Sequence, residues 1–353
     1  MNLLFALVLV ALSIKVLIVV SAFGPKWLKV ESEAARRVVE MHFQWLAAVW
    51  YLFHSRDKAF SLKQVKDAVK TNLKDPELKT KTIVFIRHGE SCWNEMFNRG
   101  FGPGFPFRVL KGLLLELHKL TLGDSLFLDS PLNLRGEKEA LDICRYLRSQ
   151  STEERTTRTS ISKSAVLAKS LALARDMYSG SPSDTRIVTS NLRRSMNTVT
   201  IALQDRLART GEKVEVVSSL QEISSNVDTI SLSTSGGVQA NLGGNMSLVD
   251  AEKVFDAKRN KGNKKPSVRG MERIMNFVQW VFKQKEDKII VSGHSLYFRW
   301  FFRMHLPHGL QHISKKKKIA NGGVVAFDLV QDSTGSVQIL PNTITSVYLG
   351  FAK

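Results

Sequence analysis

From Lys81 onward the chain alternates short apolar runs with longer stretches of helical period. TIVFIR (82–87), RIVTS (186–190), VEVVS (214–218), DKIIVSG (287–293) and GGVVAFDLV (322–330) are short, rich in Val and Ile, and read as strands. Leu134 to Leu147, Leu192 to Leu207, Met271 to Lys285 and Leu296 to His305 read as helices. Strand and helix in turn predict an α/β fold, a three-layer α/β/α sandwich around a mostly parallel sheet. Three segments break the alternation and are expected to be inserts. Residues 97–128 hold FGPGFPF and then the amphipathic LKGLLLELHKL. Residues 149–164 are Ser/Thr-rich. Residues 224–268 carry Gly, Asn and Ser and then a basic run.

The N-terminal pattern is different. Residues 2–23, NLLFALVLVALSIKVLIVVSAF, are apolar apart from Asn2, Lys15 and two serines. About 20 apolar residues span a bilayer. The Leu and Val around Lys15 offset the roughly 2.5–3.5 kcal/mol that a mid-helix lysine costs on insertion. A hydrophobic N-terminal helix (1–24) that contacts membrane lipid through residues 2–23 is therefore predicted. Lys26, Lys29, Arg36 and Arg37 follow the run and place the following domain on the cytoplasmic side. The rival reading is a signal peptide leading to the secretory lumen. Val20-Ser21-Ala22 resembles its cleavage site, but no basic residue precedes the apolar run. Glu31 to Arg56 lacks Pro and Gly and reads as a helix. Its aromatics, Phe43, Trp45, Trp50, Tyr51 and Phe53, suit either a membrane interface or packing on the domain that follows. Residues 57–81 are polar and lysine-rich and read as a connector. The organisation expected is thus 1–24, a helical and connector region 25–80, and a domain 81–353.

Composition narrows the partners. The 353 residues carry 51 Lys and Arg against 32 Asp and Glu, a net charge of +19. That excess attracts phosphorylated molecules, an anionic leaflet or nucleic acid. No basic repeat with interleaved aromatics and no recognition-helix pattern is present, which argues against nucleic acid. Two cysteines, Cys92 and Cys144, make neither a disulfide framework nor a zinc-thiolate set.

In an open α/β sheet, ligands bind beyond the carboxyl ends of the strands. Arg87 and His88 follow TIVFI, Arg193 and Arg194 follow RIVTS, and His294 follows IIVSG. Arginines and histidines delivered to one edge form a pocket for a phosphoryl dianion.

These pieces resemble the histidine phosphatase superfamily, the phosphoglycerate-mutase-like fold. Arg87-His88-Gly89-Glu90-Ser91 with Asn94 resembles its RHGE(S/T)xxxN signature. DSPLNLRGEKEA (129–140), SNLRRSMNT (190–198) and SGHSLYFR (292–299) resemble three further segments, and the set spans about residues 82–330. The resemblance implies a two-step phosphoryl transfer from a phosphorylated substrate, with His88 as nucleophile. Arg87, Arg194 and His294 would hold the phosphoryl oxygens. Asn94, Gly89 and Ser91 would contribute to phosphate binding, and Arg193 would face solvent or support its neighbour. The family's acid lies in an L-x-E context, here Leu220-Gln221-Glu222, which implies Glu222, with Asp228 as the alternative. No metal and no cofactor are expected, because fixed cations do that work. The mutase branch carries an LNERxYG stretch after the acid, where this chain reads LQEISSNVDTIS; this favours hydrolysis of phosphomonoesters at a membrane. Two alternatives stand beside it, a phosphoglycerate-mutase-type phosphotransferase and a non-catalytic phospho-ligand-binding module. The lysine run 315–318 is expected to be a solvated turn, or else a contact for anionic lipid.

Overall fold

The computed structural model describes residues 33–69, 73, 77–152, 165–238, 242 and 251–352. The apolar segment 2–23 lies outside the described residues, as do 153–164 of the second predicted insert. Among the described residues no helix is long and apolar enough to cross a membrane.

Among the described residues, ten of the helices and eight strands frame the site. In chain order the helices are α1 (Glu33–His54), α2 (Leu62–Ala68), α3 (Cys92–Phe97), α4 (Phe105–Thr121), α5 (Leu134–Thr152), α6 (Ala165–Ser179), α7 (Arg193–Ala202), α8 (Gln204–Thr210), α9 (Gly270–Val281) and α10 (Ser295–His305). The strands are β1 (Leu78–Arg87), β2 (Thr185–Thr189), β3 (Val214–Val216), β4 (Phe255–Asp256), β5 (Lys288–Gly293), β6 (Val324–Asp332), β7 (Val337–Ile339) and β8 (Thr345–Tyr348). They form one sheet in the order β4-β3-β2-β5-β1-β6-β7, with β8 also on β6. The five strands from β4 to β1 are mutually parallel; β6 runs against β1, and β7 and β8 run against β6.

β1 is buried on both faces, which is why it reads as a continuous apolar run rather than an alternation. Ile83 and Phe85 point into one core with Ile274, Phe277, Phe298 and Phe301 of α9 and α10. Val84 and Ile86 point into the other, with Ile143, Leu147, Leu173, Met196 and Val199 of α5, α6 and α7. Helices therefore cover both faces of the sheet, as expected. Several elements differ from the pattern read in the sequence. The helix predicted over 192–207 is broken at Leu203 into α7 and α8, α2 and the start of β1 fall in the predicted connector, and α3, α6, β4, β7 and β8 extend the predicted set.

A third core joins the N-terminal helix to the first insert. Met41, Trp45, Ala48 and Tyr51 of α1 pack with Trp93, Met96, Phe105, Val109, Leu120, Val227 and Ile230. The Trp45 indole N–H donates to buried Glu116 of α4 at 2.8 Å, and Glu116 also accepts from Ser125 Oγ and from the Leu126 and Phe127 amides. Of the two readings of the aromatics in α1, Trp45 and Tyr51 serve packing, whereas Trp50 and Phe53 stand exposed.

Candidate active site

β1, β5 and β2 end level with one another. Arg87 pairs with Gly293 and Thr189 with Ser292, so the residues after each strand leave the sheet at one edge. His88 N donates to Gly293 O at 3.0 Å and Ser190 N to Ser292 O at 3.2 Å. Arg194 lies in the first turn of α7 just beyond. A cleft of about 150 Å³ opens there, lined by Arg87, His88, Asn94, Arg194, Glu222, Asp228 and Lys318 among others.

His88 is buried, and its Nδ1 lies 2.6 Å from the Gly89 carbonyl oxygen. A carbonyl only accepts, so Nδ1 carries the proton and Nε2 keeps its lone pair. Burial, with the charges of Arg194 and Arg87 beside it, holds His88 well below the usual histidine range. The ring is neutral, with the Nε2 lone pair free to accept or attack. His294 sits at the N-terminal end of α10 with its ring centroid 5.1 Å from that of His88. It is fully buried and both its ring nitrogens lack a hydrogen-bond partner. A buried polar ring without partners is costly unless a ligand satisfies it. Burial and the Arg194 charge keep it neutral too.

Two guanidinium groups flank the histidines. Arg87 Nη1 donates to the Ile319 carbonyl at 2.6 Å, which brings Lys318 to the rim of the cleft. Burial lowers Arg87 to about 10, which leaves it a cation at neutral pH. Arg194 Nη1 donates to the Asp228 carbonyl at 2.7 Å, and its Nη2 lies 3.3 Å from Asp228 Oδ2. Thr198, one turn along α7, ties this group to the strand end. Its hydroxyl donates to Arg194 O at 2.7 Å and accepts from Gly89 N at 3.1 Å.

The two carboxylates differ. Glu222 Oε1 accepts from the Ile223 and Tyr297 amides at 2.9 and 2.8 Å, and Oε2 from Leu296 at 3.1 Å. Leu296 and Tyr297 are in the first turn of α10, where amides lack intrahelical partners and the helix dipole favours a negative charge. Asp228 Oδ1 is buried with no partner. Burial pushes the Asp228 carboxyl up to about 6 despite Arg194.

Not every residue read from the signature faces the cleft. Asn94 does. Ser91 is fully buried and its Oγ accepts from the Asn94 amide, so the hydroxyl caps α3. Gly89 has a packing reason: a Cβ there would collide with the Gly136 backbone, and a Cβ at Gly136 with that of Glu90. The pair lets α5 approach the end of β1. Arg193 does not face solvent. It is buried and donates to Asp124 Oδ1 at 2.8 Å and to the Asp129 carbonyl at 2.8 Å, fixing the loop before α5. Burial raises the Cys92 thiol to about 11, so it is a packing residue and not a thiolate.

Other contributors carry no motif. Lys318, the last of the lysine run, lines the cleft with Asn98, Ser224, Asn226 and Thr229. Behind Glu222 lies Asp57, in the stretch read as a connector. It is wholly buried, with Lys264 Nζ 2.9 Å from Oδ2 and Arg273 Nη2 2.6 Å from Oδ1. Asp57 Oδ2 also accepts from the Ser224 amide, and Lys264 Nζ donates to the Glu222 and Ser224 carbonyls. Among the described residues, no three His, Cys, Asp or Glu side chains group as metal ligands would.

No family model matches the chain, and no curated protein matches it either. Similar solved structures include the mycobacterial glucosyl-3-phosphoglycerate phosphatase, 12% identical, covering 77% of this chain and 100% of that one, at a TM-score of 0.37. A phosphoserine phosphatase mutant from Entamoeba histolytica in complex with phosphoserine is 11% identical, covering 76% and 98%, at 0.34. A protein described as mycobacterial hydrolase 1 is 12% identical, covering 74% and 97%, at 0.36. Likenesses this distant carry no weight for function, which rests on the chain's own residues.

Proposed function

We propose that this chain hydrolyses phosphomonoesters at a membrane through a covalent phosphohistidine at His88. The observation that carries the reading is the neutral His88. Its Nδ1 proton is held by Gly89 O, and it lines a cleft between Arg87 and Arg194 with the unpartnered ring of His294 alongside. In the first step Nε2 attacks phosphorus, the bond to the leaving oxygen breaks, and that oxygen takes a proton. In the second, water attacks phosphorus, the P–N bond breaks and inorganic phosphate leaves. Fixed cations stabilise the charge on the transferring group throughout.

Two features support the membrane part. By sequence, residues 2–23 are an apolar run. Within the described residues, α4 is apolar on two sides. Phe105, Val109 and Leu120 fill the third core, while Phe107, Leu110 and Leu114 are 76%, 56% and 61% exposed. Arg108 and Lys111 flank that outer face, and the one acid of α4, Glu116, is buried. Apolar side chains beside basic ones suit an anionic lipid interface.

The test is a hydrolysis assay on the full-length chain in detergent, with a chelator present, over aryl phosphates, phosphoglycerates, inositol phosphates and phosphopeptides. Release of inorganic phosphate by wild type, abolished in His88→Ala, is expected. Transfer of the phosphoryl group to a second phosphoglycerate would favour the mutase-type alternative. Phosphate binding without turnover would favour a binding module.

A further inference from the structure

We propose that Asp228, and not Glu222, is the proton donor to the leaving oxygen, while Glu222 holds the first turn of α10 and so sets the position of His294. The inference rests on the phosphatase reading and assigns a role within it.

Both oxygens of Glu222 are already engaged. Three backbone amides donate to them, two from the first turn of α10, the helix that His294 caps. Turning either oxygen toward a leaving group would give up bonds that hold that turn. Asp228 has the opposite surroundings. It lines the same cleft and is 6% exposed, and Oδ1 is buried with no donor near it. An anionic oxygen there lacks the partners that would repay its burial, whereas a neutral acid loses far less. Arg194 is its contact. Among the charges that act on it from further away, Lys264 and Lys58 oppose the upward push of burial, and the negative charge of Glu222 adds to it. Asp228 Oδ2 lies 3.3 Å from the Arg194 guanidinium that would grip the phosphoryl group, so its carboxyl stands at the phosphate-holding end of the cleft.

The step balances. As the His88 Nε2 lone pair forms the P–N bond, the electron pair of the breaking P–O bond passes to the bridging oxygen, which takes the Asp228 proton. In the second half the Asp228 carboxylate removes a proton from water as its oxygen attacks phosphorus. The P–N electron pair returns to His88, and both residues are restored.

Leaving-group dependence separates a proton donor from a structural acid. The probes are p-nitrophenyl phosphate, whose leaving group needs little protonation, and phenyl phosphate, whose leaving group needs more. In the full-length chain, Asp228→Asn should lose roughly a hundredfold or more in kcat/KM on phenyl phosphate, within the usual range for general acids, and much less on p-nitrophenyl phosphate. Asp228→Glu should recover part of that selectivity. Glu222→Gln should lower both substrates by a similar factor. The inference is overturned if Glu222→Gln shows the leaving-group-dependent loss, or if Asp228→Asn lowers both substrates equally. If wild type hydrolyses neither probe, or His88→Ala remains as active as wild type, the phosphatase reading itself fails, and this assignment with it.

Discussion

Replacing Asp57 by Ala tests whether the segment after α1 is built into the site. Asp57 and Lys264 have side chains with no solvent exposure, and Arg273 is nearly as buried. A solvent-exposed ion pair would be worth about 0–1 kcal/mol. Here the carboxylate is the only acidic partner of two buried cations among the described residues. Removing one member of a buried pair leaves an uncompensated charge and costs about 3–5 kcal/mol. At roughly 2 cal/mol/K of unfolding entropy per residue, a body of this size would lose roughly 5–8 °C in Tm. Burial alone would raise the Asp57 carboxyl, but Lys264 and Arg273 outweigh it and hold it below the usual carboxylate range. A depressed folded pKa contributes stability above the unfolded value of about 4, lost as pH falls through the folded one. The gap between wild type and Asp57→Ala should thus be full at pH 7 and narrow below about pH 4. Thermal unfolding of the full-length chain in detergent, followed by circular dichroism, reads both quantities. Lys264→Met in the Asp57→Ala background should return part of the loss, because it removes one stranded cation. A Tm change of less than about 2 °C at pH 7 would show instead that water solvates the cluster and that Asp57 is not a buried counter-ion.

His294→Ala should lower kcat about 10²–10³-fold, the usual cost of removing one donor to a charged transition state; a loss below tenfold in steady-state kinetics would remove His294 from the site. Thr198→Val strands the Gly89 amide, so it should cost about 1–3 kcal/mol in thermal unfolding and lower kcat more than it changes KM; an unchanged kcat would show that the strand end is held by other contacts. With Leu114→Cys carrying an environment-sensitive dye, vesicles containing an anionic lipid should shift the emission to the blue; an unshifted spectrum from vesicle-bound chain would show that the outer face of α4 stays in water.

The strand ends were legible because the chemistry and the geometry coincide there. Arg87, His88 and His294 each follow an apolar run, and parallel neighbours in level register bring such positions together. Gly89 and Ser91 show where that reading loses resolution. A glycine that meets Gly136 and a serine that caps α3 are the same residue types that phosphate binding uses, so spacing alone does not separate the two. Asp57 and Lys264 are 207 residues apart in sequence, and neither sits in a periodic pattern. Read locally, one belongs to a polar connector and the other to a basic run. Lys318 likewise looks like the end of a solvated lysine turn until the Arg87 bond to Ile319 O draws it to the cleft. The strands β7 and β8 are three and four residues long and include polar positions, which gives too short a pattern to stand out.

The most direct measurement is rapid quench of the full-length chain turning over p-nitrophenyl phosphate, followed by mass spectrometry of its peptides. A phosphoryl group on His88 is expected, stable to base and labile to acid, formed and lost at rates compatible with turnover and absent from His88→Ala. Turnover by a wild-type chain that carries the phosphoryl group on another residue, or on none, would contradict it.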